Sequence, residues 1–151
     1  MYDDLFKKIL IIEDDLSFRN PLKDYLAASN FAISVADDGE QAMDKLLVHR
    51  PDIIILDLLL PKVDGFEVLH RIRTYPEKNI AAIPVVILSN LSSNKDIEKA
   101  EVYKVDAYFV KSHTNFQEVQ KKIEEILFHG EAPPPALPQD EVLDFTKPEQ
   151  S

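Results

Sequence analysis

The run Ile53-Ile54-Ile55-Leu56, apolar at every position and stopped by Asp57, restricts the possible folds more than any other feature of the chain. A strand with one wet face alternates apolar and polar side chains. An uninterrupted run of this length suits a strand covered on both faces, as in a parallel sheet. Segments of the same kind recur at regular intervals. Residues 8–12 form an apolar run that ends in Glu13-Asp14-Asp15, residues 31–36 read as a second strand, residues 84–88 as a fourth and residues 107–110 as a fifth. Between them lie segments at helical spacing. Asp15 stands where a helix N-cap belongs, ahead of Phe18, Leu22, Tyr25 and Leu26, and Pro21 inside that helix removes one backbone bond. Asp38-Gly39 turns the chain into a second helix, with Ala42, Met43, Leu46 and Leu47 on one face.

The third helix is expected over residues 65–75 with Val68, Leu69 and Ile72 inward, followed by a looser connection over residues 76–83. The fourth, over residues 94–103, has a thin apolar stripe of mainly Ile97 and Ala100; the fifth carries Phe116, Val119, Ile123 and Ile126. Five βα units in succession imply an α/β fold, a doubly wound five-stranded parallel sheet with five helices on its two faces. Residues 1–128 make up this domain. From residue 129 onward Pro133-Pro134-Pro135 and Pro138 stop regular structure, and Glu131, Asp140, Glu141, Asp144 and Glu149 stand against Lys147. An extended, mobile, acidic tail is expected there, with Val142, Leu143 and Phe145 as a small apolar patch.

Bulk properties exclude several classes. The net charge of −10 repels a nucleic-acid backbone. Absent cysteine removes disulfides, thiolate catalysis and cysteine metal sites. The stretch from Ile53 to Leu60, broken by Asp57 and closed by Pro61, falls far short of the roughly 20 apolar residues of a membrane span. Acids at Asp3 and Asp4 stand where a signal peptide needs basic residues. A cytoplasmic protein without membrane insertion or direct nucleic-acid contact is expected. With glycine only at Gly39, Gly65 and Gly130, no phosphate-cradling loop is available. His49, His70, His113 and His129 have no metal-like spacing.

In a parallel α/β sheet, ligands gather beyond the carboxyl ends of the strands. Strand one ends in Glu13 and Asp14, strand three in Asp57, strand four in Ser89 and strand five in Lys111. Three carboxylates in one small region repel each other unless a cation sits among them. Oxygen-only ligands favour a hard ion, Mg²⁺ or Mn²⁺. With a lysine and a hydroxyl beside it, such a cluster suits a phosphoryl group. Each residue alone is commonly a cap or turn former; five of them on one sheet edge are not. Two strand-end aspartate chemistries, a haloacid-dehalogenase-type phosphatase and a toprim-type nuclease, need a second acid where this chain has Leu59.

The strings Ile9-Leu10-Ile11-Ile12-Glu13-Asp14-Asp15 and Asp57-Leu58-Leu59-Leu60-Pro61, then Asp64-Gly65, Ser89 and Lys111, resemble the receiver domains of response regulators in two-component signalling. The similarity covers about residues 7–128. It implies a flavodoxin-like fold with strand order 2-1-3-4-5 and a single-domain signalling receiver, not an enzyme in the usual sense. By resemblance Asp57 is the phosphoacceptor, and Glu13, Asp14, Asp57 and the backbone carbonyl of Leu59 hold Mg²⁺. Ser89 and Lys111 bind the phosphoryl group, Ser89 and Tyr108 act as switch residues, and Leu59 and Leu91 flank the attacking water and tune dephosphorylation. The implied partners are a sensor histidine kinase or phosphotransfer protein and a downstream protein target. A phosphorelay intermediate or a phosphorylation-independent scaffold is the alternative role. Two positions depart from the family pattern: Ser112 follows Lys111 where many members have a cis proline, and Asn90 follows Ser89 where a smaller residue is usual.

Overall fold

The computed structural model of the chain describes residues 6–129. Apart from His129, the expected tail and its Val142, Leu143 and Phe145 patch lie outside the described residues. In chain order the elements are β1 (Lys8–Ile12), α1 (Leu16–Ala27), β2 (Ala32–Ala36), α2 (Gly39–His49), β3 (Ile53–Leu56) and α3 (Gly65–Arg73). Then come α4 (Lys78–Ala81), β4 (Val85–Ser89), α5 (Asn94–Val102), β5 (Ala107–Val110) and α6 (Phe116–Phe128). All strand pairs are parallel, in the order β2-β1-β3-β4-β5.

Strand alternation divides the interior in two. Leu10, Ile12, Ile54, Leu56, Val85 and Ile87 face the layer of α2, α3, α4 and α5, where Leu46, Val68, Leu69 and Ala100 meet them. Ile9, Ile11, Ile53, Ile55, Val86 and Leu88 face α1 and α6, packing on Leu22, Leu26, Val119 and Ile123. Full burial of each such side chain contributes about 1.5–3 kcal/mol before chain entropy is subtracted. The unbroken apolar run of β3 is therefore a strand with a helix layer on either side.

Each of the five longer helices follows a strand and its loop and starts with a side-chain cap. Asp15, Asp38, Asp64, Ser93 and Asn115 accept hydrogen bonds from the amides of Ser17, Gln41, Glu67, Asp96 and Glu118. Each cap is worth about 1 kcal/mol. α1 continues through Pro21.

Two expectations are corrected in detail. The connection over residues 76–83 contains α4, a helix of four residues anchored by buried Ile80, so there are six helices among the described residues. One helical turn is too short to show a periodic pattern. Leu47 is 37% exposed: it lies about 100° around α2 from buried Leu46 and faces away from the sheet. No described peptide bond is cis, and Lys111–His113 form a single 3₁₀ turn.

At the pole where the strands begin, Arg73 ties three helix ends together. Its guanidinium donates to the carbonyls of Tyr103 at 2.7 Å, Ala81 at 2.9 Å, Ile83 at 2.7 Å and Lys104 at 3.3 Å. These carbonyls have no intrahelical partners of their own, and the charged donor satisfies them.

Candidate functional site

The register of the sheet carries the acidic residues to a common edge. Ile12 pairs with Leu56, and the amide of Asp57 donates to the carbonyl of Ile12 at 3.0 Å. Glu13 and Asp57 thus stand side by side, one step past the last paired residues. By alternation Glu13 follows Ile9 and Ile11, Asp57 follows Ile53 and Ile55, and Lys111 follows Ala107 and Phe109, all on the face of α1 and α6. Ser89 follows Val85 and Ile87, and Tyr108 packs with them on the other face.

Carboxylate oxygens of Glu13, Asp14 and Asp57 lie within 4.8 Å of one another. Glu13 and Asp57 are buried and Asp14 is exposed. The ammonium of Lys111 reaches Oδ2 of Asp57 at 2.9 Å and pairs with Oε1 of Glu13. The remaining oxygen of Asp57, Oδ1, accepts from the amide of Leu59 at 3.0 Å, and Oε2 of Glu13 accepts from the amide of Asp15 at 3.2 Å. Both buried carboxylates are therefore held at both oxygens. A ligand set of oxygens alone, with one member open to solvent, fits a hard divalent cation. Lys111 supplies the positive charge that two buried carboxylates need.

Burial pushes the Glu13 carboxyl up from 4.5 to about 7; the hydrogen bond from Lys111 opposes the rise and the charge of Asp57 adds to it. Burial disfavours the Lys111 ammonium, but hydrogen bonds to Glu13 and Asp57 outweigh it and leave the group above its ordinary value. The two directions are compatible, because Asp57 keeps the ammonium charged whether or not Glu13 carries a proton. Since the folded chain binds the Glu13 proton more tightly than the unfolded one, this group's contribution to stability is full below about 4.5 and is lost as the pH rises to about 7. A metal needs the ionised form, so Mg²⁺ or Mn²⁺ binding at pH 6 should release close to one proton. At pH 8.5 the release should vanish. Titration calorimetry in two buffers of different ionisation enthalpy measures it, and equal release at both pH values would contradict the raised Glu13.

Ser89, fully buried, accepts at its hydroxyl from the amide of Leu91 at 3.3 Å. Tyr108 donates its hydroxyl to the carbonyl of Leu91 at 2.7 Å. Burial raises this phenol to about 12, with the charges of Asp96 and Asp57 adding to the rise, so it remains a donor throughout the neutral range. Leu59 is 53% exposed, Leu91 half-buried and Asn90 exposed. The structure thus brings together Glu13, Asp14, Asp57 and Lys111, and joins Ser89 and Tyr108 separately through Leu91.

Two further residues carry the arrangement. Arg19 donates to the backbone carbonyl of Glu13 at 3.3 Å and pairs with Asp37, fastening the end of β1 to the end of β2. Phe18 lies under Lys111, whose Nζ is 4.5 Å from the ring centroid. In the sequence Phe18 is one more apolar residue of a helix stripe and Arg19 one more surface cation; no local pattern separates them from their neighbours. A cavity of about 480 Å³ lined by Arg73, Tyr103 and Asp106 lies at the opposite pole, away from the carboxylates.

Among proteins of known sequence, the alkaline phosphatase synthesis transcriptional regulatory protein PhoP of Bacillus subtilis is 31% identical over 138 residues, 90% of this chain and 55% of PhoP. The chain spans about half the length of the curated relatives it matches. The solved structure of the phosphorylated cyanobacterial phytochrome response regulator RcpA is 33% identical, with a TM-score of 0.72 over 86% of this chain and 99% of that one. The Mn²⁺-bound form of response regulator Rcp1 is 30% identical, with a TM-score of 0.71 over 85% of this chain and 99% of that one. The family model of the response regulator receiver domain matches residues 9–124, which include every carboxylate of the cluster and Lys111. The chain belongs to the response regulator receiver domain family.

Proposed function

We propose that this chain works as the receiver of a response regulator, in which Asp57 accepts a phosphoryl group from a partner histidine kinase or phosphotransfer protein. The observation that carries the reading is the buried pair of Glu13 and Asp57 sharing Lys111 beside solvent-exposed Asp14. Receiver domains generally bind Mg²⁺, and Glu13, Asp14 and Asp57, with the carbonyl of Leu59, would hold it here. A divalent cation there supplies positive charge against the phosphoryl oxygens. The phosphorylated state of RcpA and the Mn²⁺-bound state of Rcp1, both similar chains, support the same chemistry.

The steps follow from the side chains. A carboxylate oxygen of Asp57 forms a bond to the phosphorus of a phosphohistidine as the P–N bond breaks, and the electron pair returns to the imidazole nitrogen. The Leu59 amide and Lys111, already on the two oxygens of Asp57, orient the carboxylate. Lys111 then turns to the incoming phosphoryl oxygens, and the Ser89 hydroxyl donates to another. Catalysis is positioning and charge compensation. The output is a protein-binding surface on α5, β5 and α6, where movement of Ser89 towards the phosphoryl group releases the Leu91 loop that Tyr108 holds. The net charge of −10 points this output to a protein target. No helix among the described residues is long and apolar enough to cross a membrane, and a cytoplasmic site of action fits the reading.

Incubation with Mg²⁺ and a small acyl-phosphate donor, followed by intact mass, tests it. One phosphoryl group should be gained by the parent and by neither Asp57→Ala nor the parent without Mg²⁺. No gain, together with no binding of beryllofluoride, would overturn the reading.

Neither Leu59 nor Leu91 can orient a water molecule by hydrogen bonding, so hydrolysis of the aspartyl phosphate lacks that help. The combined substitution Leu59→Asn and Leu91→Glu should hasten loss of phosphate about tenfold, equivalent to about 1.4 kcal/mol of barrier. Decay of the phosphorylated mass over time checks it, and an unchanged half-life would count against the role of these positions.

A further inference from the structure

Lys111 has three close partners: the carboxylates of Glu13 and Asp57 and the ring of Phe18. Both carboxylates belong to the cluster that would hold the cation. Phe18 does not, and its ring is the one partner among the three that a cation has no claim on. We infer that Phe18 is a positioning residue for the phosphoryl group, keeping the Lys111 ammonium aimed into the site once Glu13 and Asp57 are taken up by metal. The inference rests on the proposed phosphoryl chemistry and deepens it.

The ring is held in place to do this. Phe116, the first residue of α6, meets Phe18 edge-on, with centroids 5.7 Å apart and planes at 84°. Tyr25, about two turns further along α1, meets Phe116 at 5.8 Å. Rings at such angles present an electropositive edge to an electronegative face, which fixes their planes relative to each other. The face of Phe18 is thereby turned to the ammonium. A cation 4.5 Å from a ring centroid lies well inside the attractive range. The side chain of Lys111 is only 10% exposed, so water competes weakly with the ring.

The bland account is that Phe18 merely fills space against the core of α1 and α6, where it also packs. The two accounts separate in a double-mutant cycle. Phe18→Leu keeps apolar volume and removes the π face; Phe18→Tyr restores it. In the parent background, Phe18→Leu should weaken beryllofluoride affinity in saturating Mg²⁺ about tenfold, a cation–π effect of about 1.4 kcal/mol. Mg²⁺ affinity should stay within about twofold. Phe18→Tyr should recover the parent value. In a Lys111→Met background, Phe18→Leu should change nothing further. The lysine side-chain NMR signal gives a second readout: the Lys111 Hε protons should sit upfield from ring current with and without Mg²⁺, and move downfield in Phe18→Leu.

An equal loss in the Lys111→Met background, a parallel loss of Mg²⁺ affinity, or no loss at all would each overturn the inference. Absence of beryllofluoride binding in the unmodified protein would instead overturn the phosphoryl reading beneath it, so the two failures are distinguishable.

Discussion

Replacing Lys111 by methionine is expected to move two affinities in opposite directions: divalent-cation binding tightens while phosphoryl uptake collapses. The ammonium lies 2.9 Å from Asp57 and pairs with Glu13 as well. It occupies the charge role that an incoming cation must take over. Without it, two buried carboxylates face each other with no positive partner, and Mg²⁺ or Mn²⁺ gains what the ammonium gave up. A gain of about tenfold in cation affinity, read at a pH high enough to keep Glu13 ionised without the lysine, follows from about 1.4 kcal/mol of relieved competition. Phosphoryl transfer loses a preorganised cation aimed at the transferring group, and such losses run to about 10²–10³ in rate. Calorimetric titration with Mg²⁺ and intact-mass labelling with an acyl-phosphate donor measure the two quantities. If both fell together, Lys111 would be a structural strut of the site, and its assignment to the phosphoryl group would fail.

The second large effect concerns Gly65, where adding one methyl group should destabilise the fold by about 3 kcal/mol. A Cβ there would stand 2.4 Å from the Cα of Leu58 and 2.6 Å from the carbonyl oxygen of Asp57. Both obstacles are backbone, so no rotamer change relieves them. The amide of Gly65 also donates to the carbonyl of Leu58 at 3.0 Å, pressing the first turn of α3 onto the chain just past β3. Gly65→Ala must therefore push the Asp57 carbonyl and the loop that carries Leu59 away from their places. Urea denaturation should show the loss with an unchanged slope, and Mg²⁺ affinity should fall as the carboxylates separate. Gly39→Ala serves as the comparison. Its Cβ would meet the Cβ of Val63 at 2.7 Å, and the Val63 carbonyl oxygen and the Cγ2 of Val68 at 2.9 Å, so stability should fall there too, but none of these atoms belongs to the seat of Asp57 and Mg²⁺ affinity should hold. A Gly65→Ala protein within about 1 kcal/mol of the parent would mean that the seat of Asp57 is not rigid.

Much of the site is legible in the sequence because strand alternation and strand ends are local features. The run at 53–56 announces a doubly covered strand, and Asp57 follows at once. Glu13-Asp14 closes the run at 8–12 in the same manner. Parallel strands of similar length bring their carboxyl ends to one edge, so acids at those ends meet without further information. Lys111 is legible on the same ground, one residue past Val110. The caps Asp15, Asp38 and Asp64 are also readable, because a helix that starts beyond a strand needs an acceptor for its free amides. Leu47 marks the limit of such patterns. Helical periodicity places it at the margin of the apolar stripe of α2, about 100° from Leu46, and only the packing of that helix against the sheet leaves Leu46 buried and Leu47 exposed.

Residues within a few positions of one another suffice for the alternation of strands and helices, the polarity of each face and the acids that close the strands. Tertiary structure alone decided which side chains complete the site. Phe18 meets Lys111, Arg19 meets the Glu13 carbonyl and Asp37, Tyr108 meets the Leu91 carbonyl, and Arg73 closes three helix ends. The partners in these contacts lie on different elements, brought together by sheet order and helix packing. A lysine's charge is written in the chain; the ring it rests on is settled only when α1 lies beside α6.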